Sequence, residues 1–245
     1  MIANLLDFYA GYFHHIIVFS PTLNADEKWD YIKRRPLRGE NKDLKKFLKK
    51  HSENQDNDVV GKRTVVDDSM KVHNPLIPAD CFMTEYDEST LQALMSEQMQ
   101  MVDLVQSLGG TKHLCDRILF LFDDLVGSSL FSGTRKNPFK MLNTNHRHHS
   151  ASIVMVSQGY KEIPKTVRTN FTGLILFEVP SEGELSAIYN ENPCHMKREQ
   201  WDEAFRYCVH DEYGFMYINY KREKHLRIMR NFDQHVFFQQ SEADT

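Results

Sequence analysis

The 245-residue chain has no long apolar run and no secretory start. No stretch approaches the roughly 20 apolar residues that a membrane-spanning helix needs, and the first residues do not show a basic start followed by an apolar core. These absences predict a soluble, intracellular protein with no membrane partner. Hydrophobic residues at 41% and charged residues at 26% are ordinary for a globular protein, so composition indicates a class and no function.

Cysteine and glycine are also sparse. The four cysteines lie far apart without C-x-x-C spacing, which predicts free thiols and argues against a zinc site or a disulfide framework. None of the 11 glycines belongs to a G-x-x-x-x-G-K-[ST] sequence, so the chain lacks this phosphate-binding loop.

What stands out is an uninterrupted apolar run, Ile118 to Phe122, followed at once by Asp123 and Asp124. Such a run is typical of a strand buried on both faces in a parallel α/β sheet. Ligands bind at the carboxyl ends of such strands, and a buried strand ending in paired acids can meet a phosphate-bound Mg²⁺. This is a Walker B pattern, although an unrelated α/β protein with an incidental Asp-Asp remains open from these residues alone.

The other apolar patterns predict an α/β fold. Helices are expected over 1–10, 88–108, 182–191 and 198–207, and apolar strands over 15–20, 152–158 and 173–179. Strands that follow helices or long connections argue for a parallel sheet with right-handed crossovers, and short runs at 214–220 and 226–230 predict an antiparallel C-terminal hairpin. We expect a single domain over 1–240 with a polar insert at about 51–80, followed by a disordered tail at 241–245.

The net charge of −4 conceals a basic segment between residues 31 and 50. Nine lysines and arginines stand there against two acids. The cluster could neutralise nucleic-acid phosphates. A solvated lysine face above an apolar stripe of Leu44, Phe47 and Leu48 explains it equally well.

Three segments together resemble one family. They are the strand ending Asp123-Asp124, the lead Asn-Thr-Asn-His-Arg-His-His into the strand ending Ser157-Gln158, and the segment 163–170, Ile-Pro-Lys-Thr-Val-Arg-Thr-Asn. They are similar to the poxvirus-type DNA-packaging ATPases of the FtsK–HerA superfamily, which are P-loop NTPases of large DNA viruses. The resemblance extends from about Met1 to Asn190 and is best anchored at 122–124 and 156–158.

The resemblance implies site residues and cofactors, ATP and Mg²⁺. Asp123 would hold Mg²⁺, and Asp124 would polarise the water that attacks the γ-phosphate. Gln158 would sense the γ-phosphate or orient that water, so Asp123, Asp124 and Gln158 form the expected cofactor site. Arg168 would act as a finger or sensor from this or a neighbouring subunit, with Arg147 as the second candidate.

The histidines at 146, 148 and 149 also suggest metal binding. No acid or cysteine stands at ligand spacing beside them, so we favour a polar loop near nucleotide or DNA.

The implied fold is a three-layer P-loop NTPase-like sandwich, and the implied function is ATP-driven DNA translocation or genome packaging. The implied partners are double-stranded DNA, further copies in a homo-oligomeric ring, and viral capsid or portal proteins. The implied location of the protein is intracellular, in a cytoplasmic virus factory, or in the virion. The alternative is a non-catalytic remnant, a pseudo-ATPase that binds DNA or intact subunits.

The chain departs from the family at the phosphate-binding loop. The family order is strand, loop, helix, strand; here 1–10 matches that helix and 15–20 the second strand, so the first strand and loop would precede Met1. We therefore expect a truncated gene product, an incomplete gene prediction or a degenerate copy. In related sheets the first strand lies between those that here end at Gln158 and Val179. Its loss would leave these strands paired with each other or with unpaired edges, and the chain alone poorly stable or aggregating.

Overall fold

The computed structural model describes residues 2–34, 37–55, 80–125, 127–132 and 137–237. The chain divides into two compact units, Met1–Gln158 and Gly159–Thr245, and each contains a sheet of its own. The expected single domain over 1–240 stays a prediction.

The first unit alternates helices and strands. In chain order they are α1 (Ile2–Phe8), β1 (His15–Phe19), α2 (Lys28–Lys33), α3 (Lys42–Gln55), β2 (Asp80–Met83), α4 (Glu88–Ser107), β3 (Ile118–Asp123), α5 (Pro138–Asn145) and β4 (Ala151–Val156). The four strands form a parallel sheet in the order β2-β1-β3-β4. Every residue of β1 and β3 is buried, as the uninterrupted apolar runs predict for central strands.

Helices cover both faces of this sheet. On one face, Val18 of β1 and Leu121 of β3 share a core cluster with Leu6 of α1 and Trp29 of α2. On the other face, the ring of Phe122 stacks on Phe19 at 5.2 Å and meets Phe139 of α5 edge-on at 5.0 Å. Helix, sheet and helix form three layers, in agreement with the predicted fold class.

A buried polar network lies at the amino end of the same sheet. The Asp116 carboxylate is 2.9 Å from Nε2 of His15 and accepts a hydrogen bond from Nδ2 of Asn41, also at 2.9 Å. Nδ1 of His14 accepts the backbone N–H of Arg117 at 2.9 Å, while its Nε2 lies 4.0 Å from Asp116. Burial lowers the pKa of His14 to about 4 despite the favourable charge of Asp116.

The predicted insert begins later than expected. Residues 51–55 continue α3, whose Leu44 packs with Val102 and Val105 of α4. Asp80, at the other limit of the insert, begins β2. The rest of the insert, and the tail at 241–245, lie outside the described residues.

The second unit is built on an antiparallel sheet. Its elements are α6 (Lys165–Arg168), β5 (Gly173–Leu176), α7 (Glu182–Glu191), α8 (Arg198–Val209), β6 (Met216–Asn219), β7 (Ile228–Arg230) and β8 (Gln234–His235). The strand order is β5-β6-β7-β8, and the pairing of β6 with β7 confirms the predicted C-terminal hairpin. Trp201 and Phe205 of α8 pack against Met216 and Ile218 of β6 in the core.

One strand assignment was wrong. The segment 173–179 was expected in the parallel sheet, but β5 pairs antiparallel with β6. Its apolar residues are used locally, because Leu176 is buried in the core cluster with Ile188 of α7 and Met216. An apolar run indicates burial and leaves the partner strand open.

Both β4 and β5 are edge strands within the described part of the chain. There β4 pairs with β3 alone, and β5 pairs with β6 alone. The expectation that a missing first strand leaves these edges unpaired stays a prediction.

Among the described residues, no helix has both the length and the apolar character needed to cross a bilayer.

Candidate functional site

The carboxyl edge of the parallel sheet brings three chain segments together. Phe19 of β1 is in register with Phe122 of β3, and Asp123 is in register with Val156 of β4. The residues that follow these strands therefore meet at one edge, the position at which parallel sheets bind ligands.

Asp123 is the buried centre of this edge, with 3% of its surface exposed. Its Oδ2 accepts hydrogen bonds from Oγ of Ser20 at 2.8 Å and from Oγ1 of Thr22 at 3.4 Å. Nζ of Lys28 also donates to this oxygen at 3.4 Å. Nε1 of Trp29 in turn donates to Oγ1 of Thr22 at 3.0 Å, which fixes that hydroxyl. The carboxylate is thus held by hydroxyl and ammonium donors at a single oxygen.

Asp124 leaves the strand in a left-handed conformation with φ of +51°. Aspartate tolerates this conformation better than most residues do. The backbone N–H of Asp124 donates to the carbonyl of Val156 at 3.1 Å, and its Oδ2 accepts from Nε2 of Gln158 at 3.3 Å. The turn therefore directs two consecutive carboxylates differently, Asp123 into the protein and Asp124 toward Gln158.

Lys28 is the cation of the site. Its Nζ lies 3.0 Å from Asp26 and 3.4 Å from Asp123, and 5.0 Å from the ring centroid of Trp29. Partial burial alone would lower the pKa of Lys28, but the hydrogen bond to Asp26 and the charges of Asp123 and Asp26 raise it. The lysine stays charged.

The sequence prediction missed Ser20, Thr22 and Lys28. Ser20 had a detectable signal, because it is the polar residue at the end of the apolar strand predicted over 15–20. Lys28 had none, since it lies outside the basic segment 31–50, among acidic neighbours, and belongs to no motif.

Arg147 lies at the other end of the sheet. It belongs to a 3₁₀ turn, His146–His149, that precedes β4, and its carbonyl accepts a hydrogen bond from Nζ of Lys112 at 2.7 Å. The two ends of the six-residue strand β3 are five residue steps apart, about 17 Å at roughly 3.3 Å per step. Within one chain, Arg147 is therefore not brought to Asp123.

Arg168 belongs to the second unit and is held there by local partners. Its guanidinium donates to Oε1 and Oε2 of Glu191 at 2.6 and 3.1 Å, to the carbonyl of Tyr160 at 3.1 Å and to that of Ile163. It also lies over the ring of Tyr160 at 4.4 Å. The hydrogen bond to Glu191 raises the pKa of Arg168 and lowers that of Glu191. This arrangement is a structural ion pair, and a role of Arg168 in catalysis stays a prediction.

The three histidines lie on one 3₁₀ turn but differ in exposure. His149 is buried whereas His148 is exposed. Within the described ranges, no three His, Cys, Asp or Glu side chains are grouped so that they could hold a metal ion.

Comparison with known proteins assigns the family. The profile of the family described as "Poxvirus A32 protein" matches residues 74–201, about half of the chain. The chain belongs to the Poxvirus A32 protein family. The matched part of this Poxvirus A32 family chain includes Asp123, Asp124, Gln158 and both candidate arginines. It does not include β1 or Lys28.

Solved structures show the fold that this Poxvirus A32 family member shares. The chain is similar to the genome packaging NTPase B204 from Sulfolobus turreted icosahedral virus 2, in complex with AMP, with a TM-score of 0.50 and 10% identity over 97% of this chain and 88% of that one. The same NTPase in complex with AMPPCP gives a TM-score of 0.50 and 10% identity over 98% and 89% of the two chains. A comparison with curated protein sequences gave no match. Family and fold together support a viral, packaging NTPase-like protein.

Proposed function

We propose that this chain is the body of an ATP-driven genome-packaging ATPase that binds ATP and Mg²⁺ at the carboxyl edge of its parallel sheet. The observation that carries the proposal is the meeting of Asp123, Asp124 and Gln158 there, with the Asp124 carboxylate 3.3 Å from the Gln158 amide. A buried acid beside a second, outward-directed acid with a polar amide neighbour is what phosphoryl transfer to water uses.

The donor set suits Mg²⁺. This ion prefers oxygen ligands and is commonly held by one or two carboxylates together with substrate phosphates and water. Asp123 offers a carboxylate beside the Ser20 and Thr22 hydroxyls, and the Lys28 ammonium stands in for a cation at the same oxygen. Bound Mg²⁺ would neutralise charge on the β- and γ-phosphates.

The chain's own residues then have separate roles. Asp123 would bind the metal. Asp124 would orient the attacking water and polarise its O–H bond. Gln158 would hold the Asp124 carboxylate in place and reach the γ-phosphate. Asp124 suits its role because it follows the strand in a left-handed conformation, is only partly buried, and has its carboxylate 3.3 Å from the Gln158 amide.

For turnover, a phosphate-binding loop would have to be supplied from outside residues 1–245, because this sequence contains no G-x-x-x-x-G-K-[ST]. The unpaired edge of β4 is where a preceding strand that carries the loop would pair. The absence of the loop also favours a second candidate function, a pseudo-ATPase that binds DNA or intact subunits without turnover. The intact mass of the protein from its natural source, compared with 28.8 kDa, separates the two.

A finger arginine would act between subunits of a ring. Arg147 is exposed on its 3₁₀ turn and is distant from Asp123 of its own chain. Its guanidinium would therefore act in the site of a neighbouring subunit. Arg168 would first have to leave Glu191. In this proposal the partners are capsid or portal proteins. The protein would act in a virus factory or in the virion.

Double-stranded DNA would meet the outer face of α3. Its five lysines are exposed and, at 100° per residue, fall within an arc of about 140°. Leu44, Phe47 and Leu48 point the other way and pack in the cluster with α4. A lysine stripe without a competing apolar role is suited to phosphate contacts.

The catalytic proposal is tested by ATP turnover of a protein extended at its N-terminus by a phosphate-binding loop. We expect D124N and Q158A to lower kcat by about 10² or more, and D123N to lower turnover and raise the Mg²⁺ concentration that turnover requires. D103N, at an exposed aspartate of α4, is the control. Full turnover by D123N and D124N would refute the assignment of the site.

The DNA proposal is tested by the salt dependence of binding to a labelled duplex. Replacing Lys46 and Lys49 by Gln should reduce the slope of log K against log salt by about two. The same change at Lys161 and Lys165, which are also exposed, controls for lost net charge. Equal effects of both pairs would remove α3 from the interface.

A further inference from the structure

The Lys28 ammonium occupies the place of a cation beside Asp123. Three donors converge on one oxygen of this carboxylate: the Ser20 and Thr22 hydroxyls and the Lys28 Nζ, at 2.8, 3.4 and 3.4 Å. Only the lysine among them carries charge. The side chain of Asp123 is 5% exposed, so without such a neighbour its charge would be buried uncompensated, at a large desolvation cost.

We propose that Lys28 is a displaceable internal counter-ion of the metal site, which a divalent cation must move from Asp123 in order to bind. The inference rests on the proposed function, because it takes Asp123 as the metal ligand. Lys28 thereby sets the affinity of the site for a divalent cation. It is a positioning residue, because it acts by competing with the metal for Asp123.

The competition follows from the geometry. A divalent ion on Oδ2 of Asp123 would stand within a few ångströms of the ammonium, and two cations at such a distance repel strongly where water is partly excluded. The two cations therefore bind Asp123 in alternation.

The lysine has a second position prepared for it. Its Nζ is already 3.0 Å from Asp26, whose side chain is 42% exposed. The side chain of Lys28 is itself 34% exposed and has a flexible four-carbon stem, so the ammonium can keep Asp26 while it releases Asp123. Displacement thus leaves neither the lysine nor Asp123 without a counter-charge.

The experiment is a titration of the full chain with Mn²⁺ in the absence of nucleotide, in which electron paramagnetic resonance counts the free ion. Wild type is compared with K28M, which keeps the stem and removes the charge. We expect K28M to bind Mn²⁺ about five- to tenfold more tightly. The matched control is K33M on the same helix, whose lysine pairs with Asp30 at 3.9 Å and leaves the affinity unchanged.

D26N provides a second, independent variant. Asn can still accept the backbone N–H of Lys28 that Asp26 accepts at 2.9 Å, so the local turn is kept. With its alternative partner neutralised, the ammonium should hold Asp123 more firmly, and Mn²⁺ binding should weaken several-fold. Circular dichroism shows whether each variant has folded. If one of the two has not, the Mn²⁺ affinity of the other variant tests the proposal.

The outcomes separate this inference from the proposed function. Equal Mn²⁺ affinities of wild type, K28M and D26N, with binding abolished in D123N, would overturn the role of Lys28 and keep Asp123 as the ligand. Weaker binding by K28M would also overturn it. Binding retained in D123N, or absent from wild type and K28M alike, would overturn the metal assignment and this inference with it.

Discussion

Acid should destabilise the first unit through one buried histidine. His14 is 3% exposed at the amino end of the parallel sheet, where burial and the nearby charges of Arg38, His15 and Arg117 lower its pKa to about 4 against the opposite effect of Asp116. Its Nδ1 is used as an acceptor by the N–H of Arg117. With Nδ1 as the acceptor, Nε2 already carries the proton of the neutral ring, so a second proton can enter only at Nδ1, by breaking that bond.

The size and sign of the effect follow from linkage. The ordinary pKa of histidine is 6.5, so between pH 6.5 and pH 4 the unfolded chain binds a proton at this position that the folded chain does not. The free energy of unfolding is therefore unaffected above pH 6.5 and falls progressively below it. A fall from 6.5 to about 4 corresponds to a loss of about 3 kcal/mol.

The assay is urea unfolding of wild type and H14N at pH 7.5 and pH 4.5. Trp29 and Trp201 lie in different units, so Trp29 fluorescence in a W201F background reports on the first. Asn can accept the Arg117 N–H without titrating, and carboxylate titration common to both proteins cancels. We expect wild type to lose about 2 to 3 kcal/mol relative to H14N on acidification. H113N, at an exposed histidine, controls for removal of an imidazole. The same difference between wild type and H14N at both pH values would refute the reasoning.

Further predictions concern packing and the second unit. Leu121→Ala should cost about 3 kcal/mol in urea unfolding, because the side chain is fully buried in β3; a cost below about 1 kcal/mol would contradict that burial. Arg168→Lys should lower the stability of the second unit by about 1 to 2 kcal/mol, measured by Trp201 fluorescence, because lysine cannot reproduce the two-oxygen contact with Glu191. Lost turnover in the extended protein with unchanged stability would instead favour the finger role. Gly214→Ala should destabilise this unit, since an added Cβ would lie 2.8 Å from a backbone carbonyl oxygen, whereas Gly183→Ala in α7 should be neutral or stabilising because its nearest contact is at 3.4 Å.

The parallel sheet could be predicted because its signals are local. Uninterrupted apolar runs mark β1 and β3, and the two aspartates after Phe122 mark the edge at which a ligand would bind. Gln158 could be expected beside Asp124 because parallel strands end at a common edge.

The rest depends on contacts that no short pattern encodes. The antiparallel pairing of β5 is decided by which strand shares the core of α7 and α8. The ion pair of Arg168 joins residues 23 positions apart, and the contact of Lys28 with Asp123 joins residues 95 positions apart. The sequence does not show how far a charged residue lies from an oppositely charged partner, or whether its charge is already neutralised by one.

The backbone at Asp124 restricts what evolution or a mutagenesis experiment can place there. With φ at +51°, most side chains would add conformational strain of about 1 kcal/mol or more, whereas Asn and Gly enter this region readily. Alanine at this position would confuse a backbone effect with a loss of charge. Aspartate to asparagine is the exchange that changes the chemistry alone, so a homologue that has abandoned catalysis while keeping its fold should carry Asn or Gly here.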